Sequence, residues 1–198
     1  MKHFKLRTDL TIEVGGKTLC RIEATKDIER FGVKAGDLGG YIEKEDNLSG
    51  IAWVSGDALV YDDALVCGNA LVSGNAWVYG NALVSGNAWV YGNAQVRGDA
   101  SVNGDAQVRG DAQVHGNAQV CGDEIEKEND LINITSNSGS YNITITPNHI
   151  KIGCQYHSKT AWFNFTDNEI AKMDGDKAVI WWKTWKPILI SICDGLKR

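Results

Sequence analysis

Between residues 52 and 121 the apolar positions keep a single rhythm. Valine occupies 54, 60, 66, 72, 78, 84, 90, 96, 102, 108, 114 and 120, twelve times at a spacing of six. Alanine stands two places before each of them, from Ala52 to Ala118, and glycine with Asn or Asp follows two places behind eleven of them, as in Gly86-Asn87. In an extended Ala-x-Val triplet the Ala and Val side chains share one face and the middle residue points the other way. Glycine and Asn or Asp tolerate the left-handed backbone of a sharp corner. A period of six does not fit the 3.6 of a helix, and three-residue strands make poor hairpins. Strands this short must find their hydrogen bonds in the next copy, so the pattern predicts a solenoid with parallel ladders and a dry Val/Ala interior. Each buried Val contributes roughly 1.5–3 kcal/mol to that interior before chain entropy is counted.

The phase V-x-G-[ND]-A-x resembles the hexapeptide repeat of left-handed parallel β-helix proteins, over about Leu48 to Asp123. The resemblance implies three hexads per coil, eighteen residues per turn, a triangular section and left-handed winding. Twelve hexads then make about four coils, ~19 Å tall at ~4.8 Å per rung. Ile42 and Leu48 occupy valine positions just upstream, so the array is expected to begin a turn or two earlier. The turn length predicts corner columns: Asp57, Asn75, Asn93, Asp111; Asp63, Asn81, Asp99, Asn117; and Asn69, Asn87, Asp105, Asp123. Only Asp105 over Asp123 would set two carboxylates on adjacent rungs. Such a ladder reads as calcium chemistry or, more simply, as corner chemistry; the calcium-binding repeat has a different, nonapeptide pattern. Cys67 and Cys121 fall in one column but three coils apart, ~14 Å, too far for a disulfide. The fold class expected is mainly β: a left-handed parallel β-helix (48–123), an N-terminal β cap (1–47) and a small C-terminal α+β domain (124–198).

The middle residue of each triplet divides the coil in two. It reads Trp53, Leu59, Leu65, Leu71, Trp77, Leu83 and Trp89, then Gln95, Ser101, Gln107, Gln113 and Gln119. Tyr61, Tyr79 and Tyr91 add aromatic surface to the first half, while Arg97, Arg109 and His115 add charge to the second. An apolar outer surface of that extent needs cover, from the flanks or from a second copy of the chain.

The flanks change period. LTIEVGGKTLCRIEA alternates around Gly15-Gly16 and predicts a hairpin that caps the open end of the solenoid. GDEIEKEND reads as a polar linker. LINIT, YNITIT and HIKIG then predict a three-stranded sheet, with turns at Asn-Ser and Pro-Asn. Thr166 with Glu169 fits a capping box for a short helix through Met173. A second helix follows, with Trp181, Trp182, Trp185, Ile188, Leu189 and Ile192 on one broad face and a kink at Pro187. That face reads as packing against the sheet, or as a surface for a partner.

Composition narrows the function classes. The chain has 198 residues and a formal net charge of −5, without the clustered Lys and Arg of a nucleic-acid surface. It contains no apolar run long enough to span a membrane and starts without the apolar core of a signal peptide. Five scattered cysteines with no CxxC pair suit a reducing compartment, so a cytoplasmic location is expected.

Catalytic chemistry is sparse. Hexapeptide-repeat proteins include acyltransferases that use a histidine as general base, and the resemblance offers only His115 for that role. No loop interrupts the hexads to build an acceptor site, and no recognisable CoA-binding tail follows. GCQYHS places Cys154 near His157, a conceivable thiol–base dyad without a third orienting group. No metal cluster or phosphate loop stands out, and no cofactor is expected. The layout as a whole resembles small proteins carried by phages and prophages. That resemblance implies a non-enzymatic binding or scaffold protein which blunts a host defence by holding a host protein or a nucleotide signal. A homo-oligomer, trimer or dimer, is expected, and an acyltransferase or a virion component stand as alternatives. The candidate binding or interface residues are Trp53, Trp77, Trp89, Tyr61, Tyr79, Tyr91, Trp181, Trp182 and Trp185.

Overall fold

The computed structural model describes residues 2–135 and 141–195, in two compact units divided after Leu131. In the first unit each Val stands over the Val eighteen residues away: Val54 over Val72, Val60 over Val78, Val66 over Val84 and Val72 over Val90. All of these ladders are parallel. The backbone follows the same step: Trp53 N–H donates to Ala70 C=O at 3.0 Å and Ser55 N–H to Val72 C=O at 2.9 Å. Every inward Val and Ala of the array is at most 1% exposed. The corners demand glycine for two reasons. Gly86 has φ +69°, and a Cβ there would lie 2.9 Å from the Gly104 nitrogen one rung on.

The coil is longer than 48–123. Ile42 pairs in parallel with Val60, and Leu48 bridges to Val66, so the first coil begins ahead of the valine array. At the other end Ile125 stacks on Val108. Each of the three faces then carries five rungs, about five turns in all. The segment expected as a polar linker therefore starts as a final rung, Glu124–Ile125, followed by a 3-10 turn at Glu128–Asp130. Ile125 comes five residues after Val120, not six. This lost residue moves Asp123 out of its corner column. Gln107 N–H bonds to Asp123 C=O, the role an inward Ala plays elsewhere, and Asp123 is 2% exposed. The expected Asp105–Asp123 corner pair is thus corrected.

β1 (Phe4–Val14) and β2 (Lys17–Ala24) form the expected hairpin, with Gly15 and Gly16 at φ 59° and 80°. β2 pairs with β3 (Leu38–Ile42), which joins the first face of the coil. The hairpin also covers outward residues: Leu19, Leu59 and Tyr61 form a buried cluster with Ile12, Val14, Tyr41 and Tyr79 packed against it. The cover is pinned by polar contacts. Lys17 Nζ reaches Asp62 at 2.7 Å and Glu43 at 3.0 Å, and Asp62 is the one non-glycine described residue with positive φ. Asn47 is fully buried; its amide donates to the Asp62 and Ala64 carbonyls and accepts from Lys44 N–H.

The second unit holds an antiparallel sheet of four strands, not three: Ile132–Ile134, Ile143–Ile145, His149–Ile152 and Gln155–Ser158. The fourth is the GCQYHS segment, whose polar, half-exposed residues hide the strand pattern. The Asn-Ser turn at 137–138 lies outside the described residues. α1 (Lys159–Asn164) is capped by Ser158, whose hydroxyl accepts from Ala161 N–H. α2 (Asp167–Gly195) opens with the expected capping box between Thr166 and Glu169. Its helical backbone breaks at Asp174 and Gly175, where Gly175 has φ +71°, while Pro187 sits inside the helix. The break separates the two expected helices, the first ending at Met173, while the kink expected at Pro187 is not present among the helical residues. Trp182, Leu189 and Cys193 bury against the sheet isoleucines and Trp162, but Ile188 points away and is 44% exposed.

Candidate functional site

The structure separates the aromatic candidates by environment. In the first unit Trp53 is 1% exposed, covered at the cap end, and the hairpin buries Tyr61. Tyr61 stacks on Tyr79 with centroids 5.0 Å apart, and burial pushes its hydroxyl up to about 12. Tyr91 donates its hydroxyl to Gln107 Oε1 at 3.2 Å. Trp77 and Trp89 remain open, at 38% and 43% exposure. The corner ladder is amide chemistry: Asn75 donates to Asn93, Asn93 to Asp111, Asn69 to Asn87 and Asn87 to Asp105, at 2.9–3.2 Å. Among the described residues no group of His, Cys, Asp or Glu is placed to hold a metal ion, and no helix is long and apolar enough to cross a membrane.

His115 is an exposed residue in the coil. Cys154 and His157 are not brought together as a dyad. Cys154 lies exposed in the turn between two strands. The His157 ring packs edge-on against Trp162 and Phe165, at 5.3 and 5.0 Å, and Nε2 faces Gln155 Oε1 at 3.3 Å.

In the second unit the aromatics converge on a cavity of about 230 Å³. The floor is Trp162 and Trp182, each 3% exposed and tilted against the other at 5.3 Å. Tyr141 and Trp181 form a wall, meeting edge-to-face at 5.0 Å. Trp185 stacks behind Trp181 at 5.3 Å and fixes its plane without lining the cavity. Cys154 and Gln155 come from the strand turn, and Met173 and Asp174 from the end of the first helical segment. The break at Asp174–Gly175 puts a carboxylate at the wall. Tyr141 donates its hydroxyl to Asp174 at 2.7 Å and Lys177 pairs with it at 3.0 Å. These two contacts hold the Asp174 carboxyl below its usual range, while burial raises the Tyr141 hydroxyl to about 12. Trp162 donates its indole N–H to Ile150 C=O at 2.7 Å. The Trp182 indole N–H is buried without an acceptor among the described residues. A buried donor left unpaired costs about 1–3 kcal/mol.

Sequence reasoning found Trp181 and Trp182 and missed Tyr141, Trp162, Gln155 and Asp174. The one signal for the missed group is the aromatic density across 141–165. Only the packing of α1 and the α2 break onto the strand turn assembles them.

Residues 64–80 and 76–92 match the family model of the YdcK Beta solenoid repeat. That match lies inside the coil and, with the three parallel faces, makes the chain a β-solenoid repeat protein. A search of the curated proteins found no match.

Proposed function

We propose that this chain is a non-enzymatic binding protein whose C-terminal unit holds a small planar ligand. The observation that carries this reading is the cavity of about 230 Å³ with indole walls and the polar groups of Asp174 and Gln155 among its lining. Apolar walls with a few fixed polar groups are what small-molecule sites are made of. Aromatic rings favour flat partners. Asp174 and Gln155 suit a ligand N–H edge. A nucleobase has that size and edge chemistry, so a nucleotide signal is the ligand class favoured. In the hexapeptide-repeat, phage-borne reading, sequestering such a signal in the host cytoplasm blunts a host defence. A homo-oligomer belongs to the same reading, supported by the open Trp77 on the coil. Acyl transfer is disfavoured by His115, which is an exposed residue of an uninterrupted coil and does not line the aromatic cavity.

Cys154 gives a direct test, because it is an exposed thiol at the cavity wall. A panel of nucleosides and cyclic nucleotides is titrated while iodoacetamide alkylation of Cys154 is followed by mass spectrometry. Protection by at least one of them, lost in Trp181→Ala, is the result expected. No protection across the panel would overturn the reading, as would acetyl-CoA turnover that disappears in His115→Ala.

A further inference from the structure

A second site stands on the coil, independent of the C-terminal cavity. Trp89 is the most exposed tryptophan of the array, and a cleft of about 200 Å³ opens beside it between Arg30, Asn87, Asp105 and Gln107. The repeat fixes three of these by register. Trp89 and Gln107 are ladder partners on adjacent rungs of one face, and Asn87 and Asp105 are adjacent corner residues. The fourth is brought from outside the repeat. The segment between β2 and β3 is held in place by Phe31 and Val33, which pack on the core, and it delivers Arg30 to the cleft. Arg30 Nη2 donates to Asn87 Oδ1 at 3.2 Å and makes no ion pair among the described residues.

The polar groups are oriented and only partly used. Asn87 Oδ1 accepts from both Asn69 and Arg30, and its amide donates to Asp105 Oδ1, so the other carboxylate oxygen of Asp105 is left as an acceptor. Tyr91 takes Gln107 Oε1, which turns the Gln107 amide nitrogen into the open donor. The cleft thus offers an indole face, one carboxylate acceptor, one amide donor and the spare donors of a guanidinium, all within two rungs.

We propose that this cleft is a subsite for a neutral pyranose sugar. A pyranose has a face of C–H bonds that lies on an indole and an edge of adjacent hydroxyls that both donate and accept. Flat amide, carboxylate and guanidinium heads pair with such hydroxyls two at a time. Asp105 beside Arg30 cancels the local charge and opposes a phosphate or other anion, in a chain whose net charge is already −5. A base would find a single aromatic face here, whereas the aromatic enclosure that suits a base lies in the other unit.

Saturation-transfer NMR on the full chain tests this with the methyl glycosides of glucose, galactose and mannose and with N-acetylglucosamine. The expected result is transfer to the ring protons of at least one sugar, falling at least tenfold in Trp89→Ala and severalfold in Arg30→Ala. Trp77→Ala is the control, an equally open tryptophan on another face, and it should leave the signal in place. Circular dichroism confirms that each variant keeps the coil. Silence across the sugars, a signal that survives Trp89→Ala, or one that falls equally in Trp77→Ala would each overturn the proposal.

Discussion

At the residue scale the repeat explains what it repeats, and the exceptions explain the ends. Asn47 sits where the coil begins and joins three backbone groups that no repeat partner can reach. Asn47→Ala leaves those groups buried and unpaired, so it is expected to cost about 2–3 kcal/mol in a urea titration. Asn117→Ala, at an exposed corner, should stay within about 0.5 kcal/mol. His3 gives a pH signature. It is 4% exposed and donates Nε2–H to Ala52 C=O at 2.8 Å, and burial holds its pKa below the ordinary 6.5. Below 6.5 the unfolded chain takes up a proton that the folded chain refuses. Stability from this group is therefore complete above that pH and falls as the pH drops through it. Urea midpoints at pH 7.5 and 5.5 should differ in the wild type, and His3→Gln should reduce the difference. An unchanged slope would remove His3 from that role.

At the scale of elements, glycine's two demands can be separated. Gly86 and Gly122 both have positive φ, 69° and 76°, but only Gly86 faces a neighbouring rung; a Cβ at Gly122 meets nothing within 4 Å. Gly122→Ala should cost roughly 1–2 kcal/mol from the left-handed backbone alone. Gly86→Ala should cost clearly more, and equal losses would mean that the rungs are not in close contact at the corners. Elements were legible in the sequence where one pattern repeats or one turn residue decides. The twelve valines, the Gly15-Gly16 hairpin and the Thr166–Glu169 cap belong to that class. The misread elements have a shared physical cause. The fourth strand, Gln155–Ser158, has no apolar alternation, and all four of its residues are half-buried. The boundary between the two expected helices, after Met173, was legible, but Pro187 lies inside the second helix without the expected break. The final rung was hidden because a dropped residue put Ile125 out of phase.

At the scale of the whole chain, each coil touches only its neighbours, so the first unit is a stack of like interfaces whose N-terminal end is closed by the β1–β2 hairpin. The N-terminal hairpin does double service there: it covers the open edge and hides Leu59 and Tyr61 on the outer face. The sequence showed that the outer face needs cover but not which residues receive it, since cover depends on where β1 and β2 bend. The same limit applies to both candidate sites. Trp89 and Trp182 are conspicuous in the sequence, but Arg30 and Tyr141 reach them only through long-range packing. What everything in the first unit rests on is the turn length, and engineered disulfides read it directly. In a chain freed of its native cysteines, Asn75→Cys with Asn93→Cys places two thiols on adjacent rungs of one corner, ~4.8 Å apart, within disulfide range. Mild oxidation should cross-link that pair quantitatively and leave the pair Asn75→Cys with Asn87→Cys, twelve residues apart, reduced. Cross-linking at twelve and none at eighteen would contradict a coil of three six-residue sides.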